Sequence, residues 1–136
     1  MRNAVLADTG PLYAALDPRD SRFGQAREDM ERLNSERLSV AVSIPVLCEG
    51  YSLILYRLGT KRAQAWLDEI RSQASMINLS NQDYEVAADL ISEYPDQRLS
   101  MFDAVTAVQG ERLELPVWTY DHHFDILRVG VWRNEG

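Results

Sequence analysis

Cysteine is nearly missing from this 136-residue chain: Cys48 stands alone, so no intrachain disulfide and no cage of several thiolates can form. That is compatible with a reducing compartment. Long apolar runs are missing as well. The N-terminal run from Ala4 to Ala7 is closed by Asp8, too short for a signal-peptide core or a membrane span. No membrane partner is expected, and a cytoplasmic setting is. Glycine and proline are sparse, at 7 and 5 residues, and no repeat or flexible linker divides the chain. Positive charge is in deficit: 14 lysines and arginines against 21 acids leave a net charge of −7, which excludes attraction of nucleic acid by bulk electrostatics. What remains, 46% hydrophobic and 26% charged residues, is the composition of one globular domain spanning residues 1–136.

Short apolar runs alternate with amphipathic stretches along the whole chain. Residues 4–7 read as a buried strand closed by the turn signal Asp8-Thr9-Gly10-Pro11. Asp20 or Ser21 caps a helix to about Asn34, with Phe23, Ala26, Met30 and Leu33 as its apolar face. Residues 38–42 form a second strand. Ser43 caps a helix with Pro45 in its first turn, stopped by Gly59, and Thr60 opens another to about Ser72. A third strand covers residues 76–79. Ser80 with Asp83, and Ser100 with Asp103, resemble capping boxes for helices ending near Glu93 and Leu113. Strands at 116–120 and 129–132 flank a helical turn beginning at Asp121. Such alternation implies crossover connections, a largely parallel central sheet and a three-layer α/β/α sandwich.

Open parallel sheets bind ligands beyond the carboxyl ends of their strands, so the acids placed there matter most. Asp8 follows the first strand directly and Asp121 follows the strand at 116–120. Glu49 and Asp103 lie near the starts of helices whose N-termini point the same way. Each acid alone has an ordinary explanation, as a turn former, a cap or a dipole partner. Glu49 is the exception, because Val46, Leu47, Cys48, Leu53 and Ile54 around it are apolar. Carboxylates that share a site raise one another's pKa unless a cation compensates. An oxygen-only donor set points to Mg²⁺ or Mn²⁺, and that is the layout of metal-assisted phosphodiester hydrolysis.

The segments around these acids, Val5-Leu6-Ala7-Asp8-Thr9, Val46-Leu47-Cys48-Glu49, Leu99-Ser100-Met101-Phe102-Asp103-Ala104 and Val117-Trp118-Thr119-Tyr120-Asp121 with Phe124, resemble the four acidic motifs of PIN-domain ribonucleases. Order and separation match over nearly the whole chain, and the compact size is most similar to VapC, the toxin of type II toxin–antitoxin pairs. The resemblance implies a magnesium-dependent endoribonuclease with Asp8, Glu49, Asp103 and Asp121 as catalytic, metal-binding acids. Ser100 and Thr119 then stand where accessory hydroxyls belong, and Asp125, one helical turn after Asp121, is a further outer carboxylate. A homodimer and a cognate antitoxin are the implied partners, with RNA as substrate. A different reading is a PIN-like module that binds RNA or protein without cutting; hydrolysis of DNA or of a small phosphate compound is a third.

Other features have plainer meanings. Asp8-Thr9-Gly10 spells the aspartic-protease triplet, but that chemistry needs two such loops in an all-β fold. His122 and His123 read as a solvated turn beside the site, Cys48 as a small buried hydrophobe, and Trp66, Trp118 and Trp132 as core or interface anchors. Residues 50–67 hold Arg57, Lys61 and Arg62 without an acid, with Tyr51 and Tyr56 nearby. This stretch is the expected edge for contact with phosphates or a partner.

Overall fold

A computed structural model describes residues 3–134. Its elements in chain order are β1 (Ala4–Ala7), α1 (Thr9–Ala14), α2 (Phe23–Ser35), β2 (Ser39–Ser43), α3 (Ile44–Leu58), α4 (Thr60–Gln73), β3 (Ser75–Ile77), α5 (Asn81–Ser92), α6 (Met101–Leu113), β4 (Val117–Trp118), α7 (His123–Ile126) and β5 (Val131–Trp132). The strands form one sheet in the order β3-β2-β1-β4-β5, and every pairing is parallel. Helices supply the crossovers that parallel pairing requires.

All four residues of β1 are buried, as a strand covered on both faces must be. Alternation divides them. Val5 and Ala7 join Leu33, Val42, Val46, Ile54 and Trp66 on the side of α2, α3 and α4, while Ala4 and Leu6 pack with Ala41 and Leu115 on the other. On that second side α5 and α6 meet through Ala87, Ala104 and Val105, and Ala107 of α6 packs on Val117 and Phe124. The expected three-layer α/β/α arrangement is what the chain adopts. Close helix packing uses Gly50: a Cβ there would lie 2.7 Å from the Trp66 ring, so any larger residue would force that buried ring to shift.

Several local expectations need correction. Residues 8–11 are not a simple turn: Asp8 caps α1, and Pro11 is tolerated because a first helical turn leaves its N–H groups unpaired anyway. Helix α2 begins at Phe23 with Arg22 at its cap position, because the Asp20 carboxylate takes the Arg22 N–H (2.8 Å) in the preceding turn. Met30 is 42% exposed. The inward face of α2 is instead Ala26, Asp29 and Leu33, a spacing of three then four. Cys48 is exposed on α3, since its neighbours Val46 and Gly50 occupy the inward face. Trp66 and Trp118 are core residues as expected, and Trp132 is half-buried. The second strand runs to Ser43 and the third starts at Ser75, and β4 and β5 cover only the middle or end of their expected spans. Strand β4 is short because Pro116 has no N–H to donate and because the last ladder bond of β1, from the Asp8 N–H, ends on the Trp118 carbonyl (2.9 Å).

The chain builds outward from β1 through β2 to β3, then returns to build the other side through β4 and β5. Strand order therefore reverses at β1. The carboxyl ends of β1 and β4 border the crevice at that reversal, where open α/β sheets hold their ligands.

Candidate active site

Asp8 stands at the carboxyl end of β1 and is only 7% exposed. Two bonds orient it. The Thr9 N–H donates to Oδ1 (2.9 Å) and the Thr119 hydroxyl donates to Oδ2 (2.8 Å). Thr119 in turn accepts from the Asp121 N–H (3.0 Å), so one hydroxyl ties the end of β1 to the segment after β4. Thr9 makes a second tie, since its own hydroxyl donates to Glu49 Oε1. Glu49 is half-buried on α3, which reaches the crevice because Ser43 ends β2 and caps the helix through the Val46 N–H (3.3 Å). Asp103 arrives from α6. There the expected capping box is complete: Ser100 Oγ accepts from the Asp103 N–H (3.1 Å) and the Ser100 N–H donates to Asp103 Oδ2 (3.3 Å).

Asp8, Glu49 and Asp103 act on one another and Asp121 acts on Asp103, which links the four in one electrostatic cluster. Burial is the first cause for Asp8, whose carboxyl is pushed up to about 6; bonds from Thr119 and Thr9 oppose this, and the charges of Asp103 and Glu49 add to it. Glu49 is raised by burial and by Asp103, against the Thr9 bond. Asp103 is raised by burial and by Asp121, against Ser100 and His123. Among the described residues no lysine or arginine pairs with any of the four. Such a cluster of oxygen donors suits a hard divalent cation, which would replace mutual repulsion with attraction.

Asp125 is placed differently. It is exposed, and both its oxygens engage Arg133 Nη2 at 2.9 and 2.7 Å. The basic stretch divides: Arg57 lies 5.1 Å over the Tyr13 ring, Arg62 donates to the Leu16 carbonyl, and Lys61 is exposed. A groove beside Glu49 is lined by Cys48, Leu53, Tyr56, Arg57 and Phe102. Tyr56 is 84% exposed there.

One contributor escaped the sequence reading. Asp29, buried on α2, accepts from Trp118 Nε1 (3.1 Å) and from the Tyr120 hydroxyl (2.5 Å) through a single oxygen, Oδ2. These two residues flank Thr119, so Asp29 pins the strand end that orients Asp8. Its signal was legible: a carboxylate at the inward register between Ala26 and Leu33 requires a buried donor.

Known proteins share the fold of this chain. The family described as PIN domain matches residues 5–129. Ribonuclease VapC26 of Mycobacterium tuberculosis is 28% identical over 127 residues, covering 91% of this chain and 92% of that protein. Among solved structures, Mycobacterium tuberculosis VapC20, described as a sarcin-ricin loop cleaving toxin, superposes with a TM-score of 0.83 at 21% identity, covering 96% of this chain and 100% of that one. VapBC2 from Rickettsia felis, bound to a DNA fragment from its promoter, gives 0.75 at 16% identity, covering 96% and 98%. Identities this low establish the shared fold alone. The match over residues 5–129 goes further, and on it this chain belongs to the PIN domain family.

Proposed function

We propose that this chain is a metal-dependent endoribonuclease that cuts RNA phosphodiester bonds, and that it is the toxin of a type II toxin–antitoxin pair. One observation carries the reading: Asp8, Glu49, Asp103 and Asp121 converge at the strand-order reversal, and among the described residues no lysine or arginine pairs with them. The four are the catalytic, metal-holding acids, and Mg²⁺ or Mn²⁺ is the ion they suit. When bound, such an ion supplies Lewis-acid charge and a water of lowered pKa.

The chain's own residues do the positioning. Asp8 is the fixed ligand, held from both sides by Thr9 and Thr119. Thr9 also sets Glu49, so a single residue spaces two acids. Ser100 is the accessory residue of Asp103, its N–H donating to the carboxylate while its hydroxyl accepts from the Asp103 N–H; the Thr119 hydroxyl donates to the Asp8 carboxylate directly. Counting out the four acids leaves 17 against 14 bases, or −3, so a loaded site reduces the repulsion of a polyanion. Arg57, which lines the groove beside Glu49, is the cation this reading offers to a flanking phosphate.

The partner reading rests on relatives and on the surface. Solved structures that share this fold include a toxin–antitoxin complex from Klebsiella pneumoniae, and an antitoxin segment covering the acids is the partner proposed here. Tyr56, Met101 and Phe102 are exposed apolar residues on the helices that carry Glu49 and Asp103. A homodimer, one domain over residues 1–136 and a cytoplasmic setting complete the proposal; no described helix is long and apolar enough to cross a membrane.

The test is cleavage of a panel of structured RNAs by antitoxin-free protein in Mg²⁺ or Mn²⁺, with EDTA and Asp8→Asn as controls. Cleavage abolished by both controls is the expected result. Folded, metal-loaded protein that cuts no RNA in the panel would replace this reading with that of a binding module.

A further inference from the structure

At the rim of the acid cluster the chain turns through Asp121, His122 and His123. Consecutive side chains usually diverge, but here the two imidazoles lie against each other, with ring centroids 4.4 Å apart and planes 31° from parallel. The His123 N–H donates to Asp121 Oδ1 (2.9 Å) and folds that carboxylate back over the turn. His123 Nδ1 then lies 3.0 Å and His122 Nδ1 3.7 Å from the same oxygen, and one donor atom from each of the three residues falls within 4.8 Å of the others.

The inner ring is unsatisfied. His123 is 15% exposed at its side chain, and its Nδ1 is buried without a hydrogen-bond partner, the close approach to Asp121 being wrongly angled for one. A buried ring nitrogen left unpaired is costly. A shared cation removes that cost. Metal bonds of about 2.1 Å put neighbouring donors about 3.0 Å apart in an octahedral shell and about 3.4 Å in a tetrahedral one, close to the 3.0 Å and 3.7 Å that separate His123 Nδ1 and His122 Nδ1 from Asp121 Oδ1. Two nitrogens and one oxygen are the donors of a borderline first-row ion, whereas Mg²⁺ prefers oxygen alone.

We propose that Asp121, His122 and His123 bind a divalent transition ion of the Co²⁺, Ni²⁺ or Zn²⁺ class, with water completing its shell, and that this ion draws Asp121 away from the four-acid centre. The second half rests on the function proposed above, and the first does not.

Co²⁺ is the probe, titrated into untagged full-length protein and followed by its visible absorption and by calorimetry. The expected result is saturable binding that weakens at least tenfold in His123→Ala and is lost in the His122→Ala/His123→Ala double variant. Thermal stabilisation by Mg²⁺ persists in both, which also shows that they fold. Wild-type protein needs no variant for its own check: bound Co²⁺ shifts the proton resonances of two histidine rings. Unshifted histidine resonances, or equal Co²⁺ affinity in the double variant, would overturn the site. Zn²⁺ is expected to inhibit Mg²⁺-supported RNA cleavage at concentrations at least tenfold lower in wild type than in the double variant, and equal sensitivity would overturn the second half. Protein that binds Co²⁺ through its histidines yet cuts no RNA would leave the site standing and remove the nuclease reading.

Discussion

Helices α5 and α6 begin with the same device and put it to opposite ends. Ser80 and Asp83 form a complete capping box, and so do Ser100 and Asp103. Asp83 is buried, and Arg112 reaches back from α6 to bind both its oxygens, at 2.8 and 2.9 Å. Burial pushes its carboxyl up, but the Ser80 and Arg112 bonds outweigh this and hold it below the ordinary range. Asp103 has the same local bonds and no arginine. Burial and Asp121 raise it instead. A cap therefore specifies where a helix starts, while the long-range neighbours decide whether its acid is neutralised by a cationic side chain or left uncompensated.

Removing one charge from each box breaks the comparison most sharply. Asp103→Asn, like Asp8→Asn, is expected to lower metal-dependent cleavage by about 100-fold or more, whereas Asp83→Asn leaves the rate per folded molecule unchanged. Initial rates normalised to folded protein decide this, and an equal loss at both caps would erase the contrast.

The next effect is on stability, with inverted sign. Asp8 has a folded-state pKa raised to about 6, so it favours the fold while protonated and loses that contribution as pH rises through 6. Without metal, Asp8→Asn should therefore stabilise the protein at pH 7 by up to about 3 kcal/mol, less what its hydrogen bonds lose. Chemical denaturation at pH 7 in EDTA measures it; a destabilised variant would contradict the assignment. Asp83→Asn should cost about 1–2 kcal/mol in the same assay, a cap and a half-exposed ion pair together.

A pH scan sharpens the same contrast. Raised groups, Asp8, Glu49 and Asp103, make the metal-free protein more stable as pH falls from 7 toward 5. Lowered groups, Asp83 and Asp17, contribute above their unfolded pKa near 4 and lose that contribution as pH falls through their depressed folded values. Melting temperature in EDTA should pass through a maximum on the acid side of neutrality, and saturating Mg²⁺ should flatten the neutral limb. A monotonic rise toward pH 7 in EDTA would refute the uncompensated cluster. The smallest effect belongs to Asp125→Ala, which removes an exposed pair with Arg133 and is expected to change stability by less than about 1 kcal/mol.

Much of this was legible before any coordinates. Short apolar runs located the strands and their alternation with helices the layers; Asp8, Asp103 and Asp121 stood out because each followed a strand or opened a helix, and Glu49 because its neighbours on α3 are apolar. What was not legible is non-local. Helix α1 hid behind Gly10 and Pro11, residues that mark turns unless a preceding aspartate supplies a cap. The outward turn of Cys48 and the inward turn of Asp29 depend on helix phase, where one residue rotates a side chain by about 100°. That Arg112 serves Asp83 and not Asp103 depends on how α5 and α6 pack, which no spacing in the sequence encodes.

The central position of β1 has one more consequence, in time. Asp8 is made before the other three acids, yet its orienting partner Thr119 and the fourth acid Asp121 come from the other side of β1, after β4. A ribosome working through this message carries a chain with two acids once residue 49 is made and three after residue 103. The fourth joins only when translation has passed residue 121 and β4 has docked against the oldest strand. A chain that has not passed residue 121 cannot assemble the cluster.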